Sequence, residues 1–167
     1  MKLFNYPKVV PYPKAFLGAI LGFIFFAVAF YPGFMSSDSL QQYEQSHTLQ
    51  FRDALPPVMA WLWSKLNIIW HGPQSLLLLH LGVLWTGLYI WRRNSGDSKW
   101  AIGFILLGAM PWIANFEGVL WKDMGMAFSL LLALALLSGE KQTKAELVTV
   151  GFLLLYALWI YDAPPVG

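Results

Sequence analysis

The chain has 167 residues, of which 57% are hydrophobic, 17% aromatic and only 12% charged. Water-soluble domains usually contain about 45–50% apolar and about 25% charged residues. Because one soluble core would not bury this much apolar surface, we expect lipid to be part of the solvent of this protein. Its net charge of +2 is too small for a nucleic-acid groove, and the lack of cysteine excludes disulfide frameworks, thiolate metal sites and cysteine nucleophiles. The composition therefore argues against a soluble enzyme, a DNA-binding protein and a disulfide-rich secreted module.

Five apolar stretches predict membrane-spanning helices, at about 15–31, 74–91, 100–114, 124–138 and 146–161. Each is near the short end of the ~17–25 residues needed to cross about 30 Å of hydrocarbon. The predicted fold is thus an all-α polytopic integral membrane protein forming a single membrane domain. The first stretch also has features of a cleavable signal peptide, since a basic start precedes an apolar run that contains Ala27-Val28-Ala29. Its length and the apolar chain that follows favour a retained helix.

The segment between the first two predicted spans is divided into an outside loop, 32–57, and a short apolar segment, 58–70. The short segment contains Lys65, Asn67 and several tryptophans, which favour the headgroup region, so we predict a helix in the membrane interface. A sixth span is the alternative, but it would move Arg92, Arg93 and Lys99 to the outer side. With five spans the basic residues lie mostly on the inner side, as the positive-inside rule requires. The N-terminus is then cytoplasmic, and the bacterial inner membrane is the expected location.

Asp38 lies in the sequence Ser36-Ser37-Asp38-Ser39, directly after the first predicted span. One interpretation is structural, because serine or aspartate here would cap the N-terminus of a following helix. The other is functional: a carboxylate held at the membrane surface, whose pKa is raised by partial desolvation, would be a better general base. The two interpretations are compatible.

Asp53 precedes Ala54-Leu55-Pro56-Pro57, where two prolines restrict the backbone. This sequence predicts a rigid corner that returns the chain to the membrane. The corner either has only this structural role or also directs Asp53 toward the pocket of Asp38.

Lys122 and Asp123 precede the fourth predicted span, and Glu117 lies shortly before them. An acid near a helix N-terminus is stabilised by the helix dipole, and Lys122 could simply pair with either acid. Alternatively, the lysine holds a phosphate while an acid orients a hydroxyl group. The three histidines have no metal-ligand spacing, and His80, inside the second predicted span, is a weak functional indication.

The order of these motifs resembles the opening of GT-C glycosyltransferases, polytopic enzymes that take a sugar from a polyprenyl-phosphate carrier. The likeness is carried by "PGFMSSDSLQQYEQ", "FRDALPP" and "MAWLW". It is strongest to the branch of protein O-mannosyltransferases and lipid A aminoarabinose transferases. That branch has an acid after the first span, then a tyrosine, then an Asp-x-(His or Lys)-Pro-Pro corner, and this chain supplies Asp38, Tyr43, Asp53, Pro56 and Pro57 in that order. Leu55 replaces the usual His or Lys.

The resemblance implies that Asp38 is the catalytic base and that the other motif residues bind substrate. These are Tyr43, Asp53, Pro56, Pro57, Glu117, Lys122 and Asp123, of which Lys122 and Asp123 would lie near the carrier phosphate. The co-substrate would be a lipid-linked sugar donor, and the partner a membrane lipid carrier. No firm cofactor follows, and the need for a divalent cation stays open.

Enzymes of this family are several times longer, so we expect the chain to be the N-terminal part of such an enzyme, with a partner chain as one source of the missing helices. Two other functions are consistent with the sequence. A small transporter or permease subunit is favoured by Gly103, Gly108 and Pro111, which could break the third span. A non-catalytic protein of envelope assembly would use the outside loop as a docking surface.

Overall fold

The computed structural model describes residues 13–51, 55–96 and 101–161. Within these ranges the chain is helical, as predicted, apart from one isolated bridge between Phe34 and Val119. The helices are α1 (Pro13–Ala29), α2 (Ser37–Thr48), α3 (Pro57–Ile69), α4 (Gln74–Asn94), α5 (Ile102–Gly108), α6 (Pro111–Glu117), α7 (Lys122–Leu137) and α8 (Lys144–Tyr161).

The prediction of about five membrane-spanning helices is wrong. Among the described residues, α4 alone is long and apolar enough to cross a membrane. α1 and α7 have only 17 and 16 residues, and α8 begins with the charged Lys144 and Glu146, which shorten its apolar part. Because α4 is also largely buried among other helices, its length and composition fit a core helix as well as a membrane span.

The predicted third span, 100–114, is interrupted near its middle. Trp100 lies outside the described residues, and the rest is divided between α5 and α6, which meet at Ala109 and Met110. Pro111 is the cause, because proline has no N–H to continue the preceding helix but fits the first position of a new one.

The predicted outside loop, 32–57, contains a helix of its own, α2. Ser36 caps this helix, and its Oγ accepts a hydrogen bond from the backbone N–H of Ser39 at 3.3 Å. α3 lies where the interfacial helix is predicted. It buries Met59 and Trp63 against the bundle and leaves Trp61 and Ile69 exposed.

α4 is the central helix of the bundle and packs against α1, α5 and α7, while α8 packs against α7. α1 and α5 run antiparallel to α4, as the contacts of Phe16 with Tyr89 and of Trp91 with Phe104 indicate. α7 runs parallel to α4, since Asn94 near the end of α4 donates to the Ala135 carbonyl near the end of α7 at 3.0 Å. These directions place the end of α1, the start of α7 and both α2 and α3 at one end of the bundle, which we call the α2 end.

Trp85, in the middle of α4, contacts both α1 and α5. Its indole ring stacks on Phe26 with ring centres 5.9 Å apart. The ring also lies against Gly22 of α1 and Gly108 of α5. A Cβ atom added to either glycine would collide with it; on Gly108 the added Cβ would be 2.7 Å from the nearest ring carbon. Only glycine therefore allows α1 and α5 to approach α4 this closely.

Replacing Gly22 with alanine should destabilise the protein, because the added methyl group would collide with the Trp85 ring. We expect a cost of about 1–3 kcal/mol, typical of an overpacked core, measured as a lower Tm in detergent. Gly82→Ala is the matched control: it is also inside a helix, but nothing lies within 4 Å of its Cβ position. An equal loss of stability in both variants would contradict the assigned packing.

Candidate functional site

The chain segments before α2 and before α7 are bound to each other at the α2 end. Phe34 donates its backbone N–H to the Gly118 carbonyl at 2.7 Å and accepts from the N–H of Leu120 at 3.0 Å. The Ser39 hydroxyl, in the first turn of α2, donates to the Leu120 carbonyl at 2.6 Å. These bonds bring the N-terminus of α2 next to the N-terminus of α7.

A pocket of about 270 Å³ lies between these two N-termini. Asp38 from α2 and Lys122 and Asp123 from α7 all line it, so residues more than eighty positions apart in the chain share one site. Asp38 and Asp123 are exposed, and Lys122 is half-buried. The rest of the lining consists of Ser36, Ser37, Ser39, Gln42, Leu55 and Trp121.

Among the residues that the structure describes, the charged side chains of the pocket do not form ion pairs with one another. Within the described ranges, Lys122 forms no ion pair with Asp38 or Asp123. Arg93 and Glu146 form an ion pair at the opposite end of the bundle. The Asp38 carboxylate accepts one long hydrogen bond, from the Ser37 hydroxyl at 3.4 Å. No side chain caps the start of α7. One cation, two carboxylates and an uncapped helix N-terminus are therefore available to a ligand.

The buried face of α2 consists of polar side chains, whereas the buried face of most helices is apolar. Ser39, Gln42, Gln45 and Ser46 are all buried. The Nε2 atom of Gln42, which lines the pocket, has no hydrogen-bond partner in the described part of the chain. A buried amide without a partner is costly.

Glu117 lies apart from the pocket and is fully buried. Its Oε2 accepts a hydrogen bond from the Trp85 indole N–H at 3.1 Å, whereas no described group bonds to its Oε1. Burial raises the pKa of this carboxyl to about 8, and the hydrogen bond from Trp85 opposes only part of that shift. Glu117 is thus a second polar centre, formed between α4 and α6.

Of the remaining predicted site residues, Tyr43, Pro56 and Pro57 do not line the pocket. Tyr43 lies on another side of α2, where its ring contacts Trp63 with centres 4.9 Å apart. Pro56 is buried at the start of α3, and Pro57 is the first residue of that helix. Asp53 lies outside the described residues. Leu55, which follows it closely, does reach the pocket.

The structure also brings together two histidines that sequence spacing does not connect. The rings of His47, near the end of α2, and His71, between α3 and α4, have centres 5.0 Å apart. No group of three or more metal-ligating side chains occurs among the residues described here. The pair could not be found from sequence, because it depends on how α2 packs against α3.

The buried carboxyl of Glu117 should make the stability of the protein depend on pH. Its pKa is about 8 in the folded protein and 4.5 in the reference state, so between these values the folded protein holds a proton that the unfolded chain has released. The free energy of unfolding should therefore fall as the pH rises through this window, by on the order of a few kcal/mol. Glu117→Gln should remove this dependence in Tm measured against pH.

The exposed Glu44 offers the control, since Glu44→Gln makes the same chemical change on the surface and should keep the wild-type profile. Parallel pH profiles of the wild type and Glu117→Gln would show that the Glu117 carboxyl is not the responsible group.

No protein-family model matches the chain, and neither a curated protein nor a solved structure matches it. The resemblance to GT-C transferases thus has no support from these comparisons and stays a prediction from the motifs.

Proposed function

We propose that the pocket at the α2 end binds the head of a lipid-linked sugar phosphate and that the chain acts in glycosyl transfer from this donor, alone or as part of a larger GT-C-like enzyme. One observation carries the proposal: Asp38, Lys122 and Asp123 line the same pocket. The sequence motifs assign a base and a phosphate-binding lysine to these residues, and the fold brings them within reach of one ligand.

Lys122 and the uncapped start of α7 are suited to the phosphate. Helix N-termini favour anions because their first N–H groups lack partners and the helix dipole is positive there. Lys122 adds a full positive charge at the same position. The hydroxyl of Ser37 lies on the facing wall and provides a neutral donor.

Asp38 is suited to the acceptor, because its exposed carboxylate has an approach from the pocket. In the transfer step, Asp38 takes the proton of the acceptor hydroxyl as that oxygen bonds to the anomeric carbon of the sugar. The bond from this carbon to the phosphate oxygen breaks, and the lipid phosphate leaves with the electron pair. A positioned base of this kind contributes about 10²–10⁴-fold to the rate.

The surface of the bundle supports a location in lipid. Soluble monomers rarely expose large continuous apolar patches, yet α1 and α8 each expose a row of large apolar side chains. These are Phe16, Leu17, Leu21, Ile24, Phe25 and Val28 in α1, and Leu147, Val148, Phe152, Leu155, Leu158 and Trp159 in α8. A carrier lipid in contact with such a surface would reach the pocket from the side.

Exposed tryptophans occur near the α2 end, as expected of a surface at headgroup depth. Trp61 and Trp70 of the α3 region, Trp112 of α6 and Trp121 beside the pocket are each at least 40% exposed. The phosphate of a carrier lipid lies at the same depth, so the pocket and its proposed ligand match in position.

A transporter subunit is the second candidate, and the break between α5 and α6 favours it. Broken helices and buried ionisable groups are typical of transporter substrate sites. Glu117 ends the second half of this broken pair and is buried. Loss of solute uptake in Glu117→Gln, with polyprenyl phosphate binding absent in the wild type, would support transport over glycosyl transfer.

Lys122→Ala should weaken the binding of polyprenyl phosphate by about tenfold or more, since it removes a charge-assisted contact to the phosphate. The measurement compares the affinities of polyprenyl phosphate and of the matching polyprenol in detergent. The polyprenol should bind equally well to the wild type and to Lys122→Ala. Lys65→Ala is the control, because Lys65 lies on α3 over the Trp61 ring and does not line the pocket. Equal binding of the phosphate and the alcohol by the wild type would refute a phosphate site.

Asp38→Asn should leave polyprenyl phosphate binding unchanged and slow sugar transfer by about 10²–10⁴-fold, because the amide cannot accept the proton. Release of polyprenyl phosphate from a set of polyprenyl-phosphate sugars, measured in native membranes, tests this. Glu44→Gln, an exposed change on the same helix outside the pocket, should retain full activity. Wild-type turnover in Asp38→Asn would exclude Asp38 as the base.

A further inference from the structure

We propose that His47 and His71 form a binding site for a divalent transition-metal ion of the zinc, nickel or copper type. This inference does not depend on the proposed sugar transfer. Both histidines are exposed, so an ion in solution has access to them. Imidazole is a favoured ligand of these metals.

A contact with the Tyr43 backbone carbonyl determines the tautomer of His47. Its Nδ1 atom lies 2.8 Å from the Tyr43 carbonyl oxygen, which can only accept a hydrogen bond, so Nδ1 carries the proton. Nε2 is then left with its lone pair free for a metal. Metal-binding histidines usually have this arrangement, in which the second ring nitrogen donates to a carbonyl or a carboxylate and fixes the ring.

The separation of the two rings fits a shared ion. A zinc ion lies about 2.0–2.1 Å from an imidazole nitrogen, so two histidines bound to one tetrahedral ion have ring centres about 5 Å apart. The observed separation is 5.0 Å, with the ring planes at 81°. No ring nitrogen of His71 is engaged by another described group.

The backbone around both histidines is held in place before any ion binds. Asn67 of α3 donates to the Ser46 hydroxyl at 3.2 Å and accepts from the backbone N–H of Gly72 at 3.2 Å. Gln74 donates to the carbonyl of His71 at 2.7 Å. These bonds fix the end of α2 to the turn before α4, so little order has to be created when an ion bridges the two.

With two protein ligands, the remaining coordination positions would be filled by water, and the site would be open. Because affinities rise from nickel to copper and fall again at zinc, copper should bind most tightly. An ion here would connect α2, which carries Asp38 at its other end, to the start of the central helix.

The test is a titration of the tag-free protein with Cu²⁺, Ni²⁺ and Zn²⁺ by calorimetry. We expect one ion per chain, and His47→Gln or His71→Gln should each weaken binding by about tenfold or more. The double variant, which keeps the buried His80, should not bind at all. Gln41→Ala, an exposed change on the same helix, is the control and should bind as the wild type does.

A second measurement does not depend on comparing affinities. Because the ion connects two segments of the folded chain, Zn²⁺ should raise the Tm of the wild type and leave that of either histidine variant unchanged. Unaltered affinity in both single variants, or the same Tm increase in the double variant, would overturn the proposal and leave the two rings as a simple edge-to-face contact.

Discussion

Trp85 packs against two glycines, and this contact sets how closely α1 and α5 approach the central helix α4. Its ring fixes α1 and α5 against α4 through the missing side chains of Gly22 and Gly108. Its indole N–H also donates a hydrogen bond to Glu117, the last residue of α6. With both α1 and α6 placed, the segments that follow them meet and form the bridge between Phe34 and Val119. The pocket lies directly beyond this bridge, so its geometry follows from a contact in the middle of the bundle.

α2 is stabilised in a different way from the other helices. Its buried face consists of Ser39, Gln42, Gln45 and Ser46, so it gains little from apolar burial. Hydrogen bonds to neighbouring segments hold it instead, from Ser39 to the Leu120 carbonyl and from Asn67 to Ser46. The amide nitrogens of Gln42 and Gln45, unpartnered among the described residues, cost stability, and of this buried face only Ser39 and Gln42 also line the pocket.

The sequence was informative about helix positions and about which charged residues share an end of the bundle. Apolar runs separated by proline, glycine and charged residues locate the helices, and alternating helix directions then group Asp38 with Lys122 and Asp123. Span number could not be predicted from composition, because composition does not show where a helix begins and ends. Pro111 divides one apolar run, and α1 and α7 are only 17 and 16 residues long. The resemblance implies that Tyr43 binds substrate. Five residues along a helix turn the chain by about 140° beyond one full turn, so Tyr43 and Asp38 point to different sides of α2.

The charge of the pocket limits which ligands suit it. It has two carboxylates, Asp38 and Asp123, for a single lysine, Lys122. The two carboxylates offset part of the attraction that Lys122 and the α7 N-terminus exert on a phosphate, and the lysine would repel a bare cation. A ligand that combines a phosphate with several hydroxyl groups avoids both problems, because the phosphate faces Lys122 and the α7 N-terminus while the hydroxyls donate to the carboxylates. A sugar phosphate has this combination, and its lipid chain would extend onto the apolar surface of the bundle, so the charge pattern favours the whole donor over any of its parts.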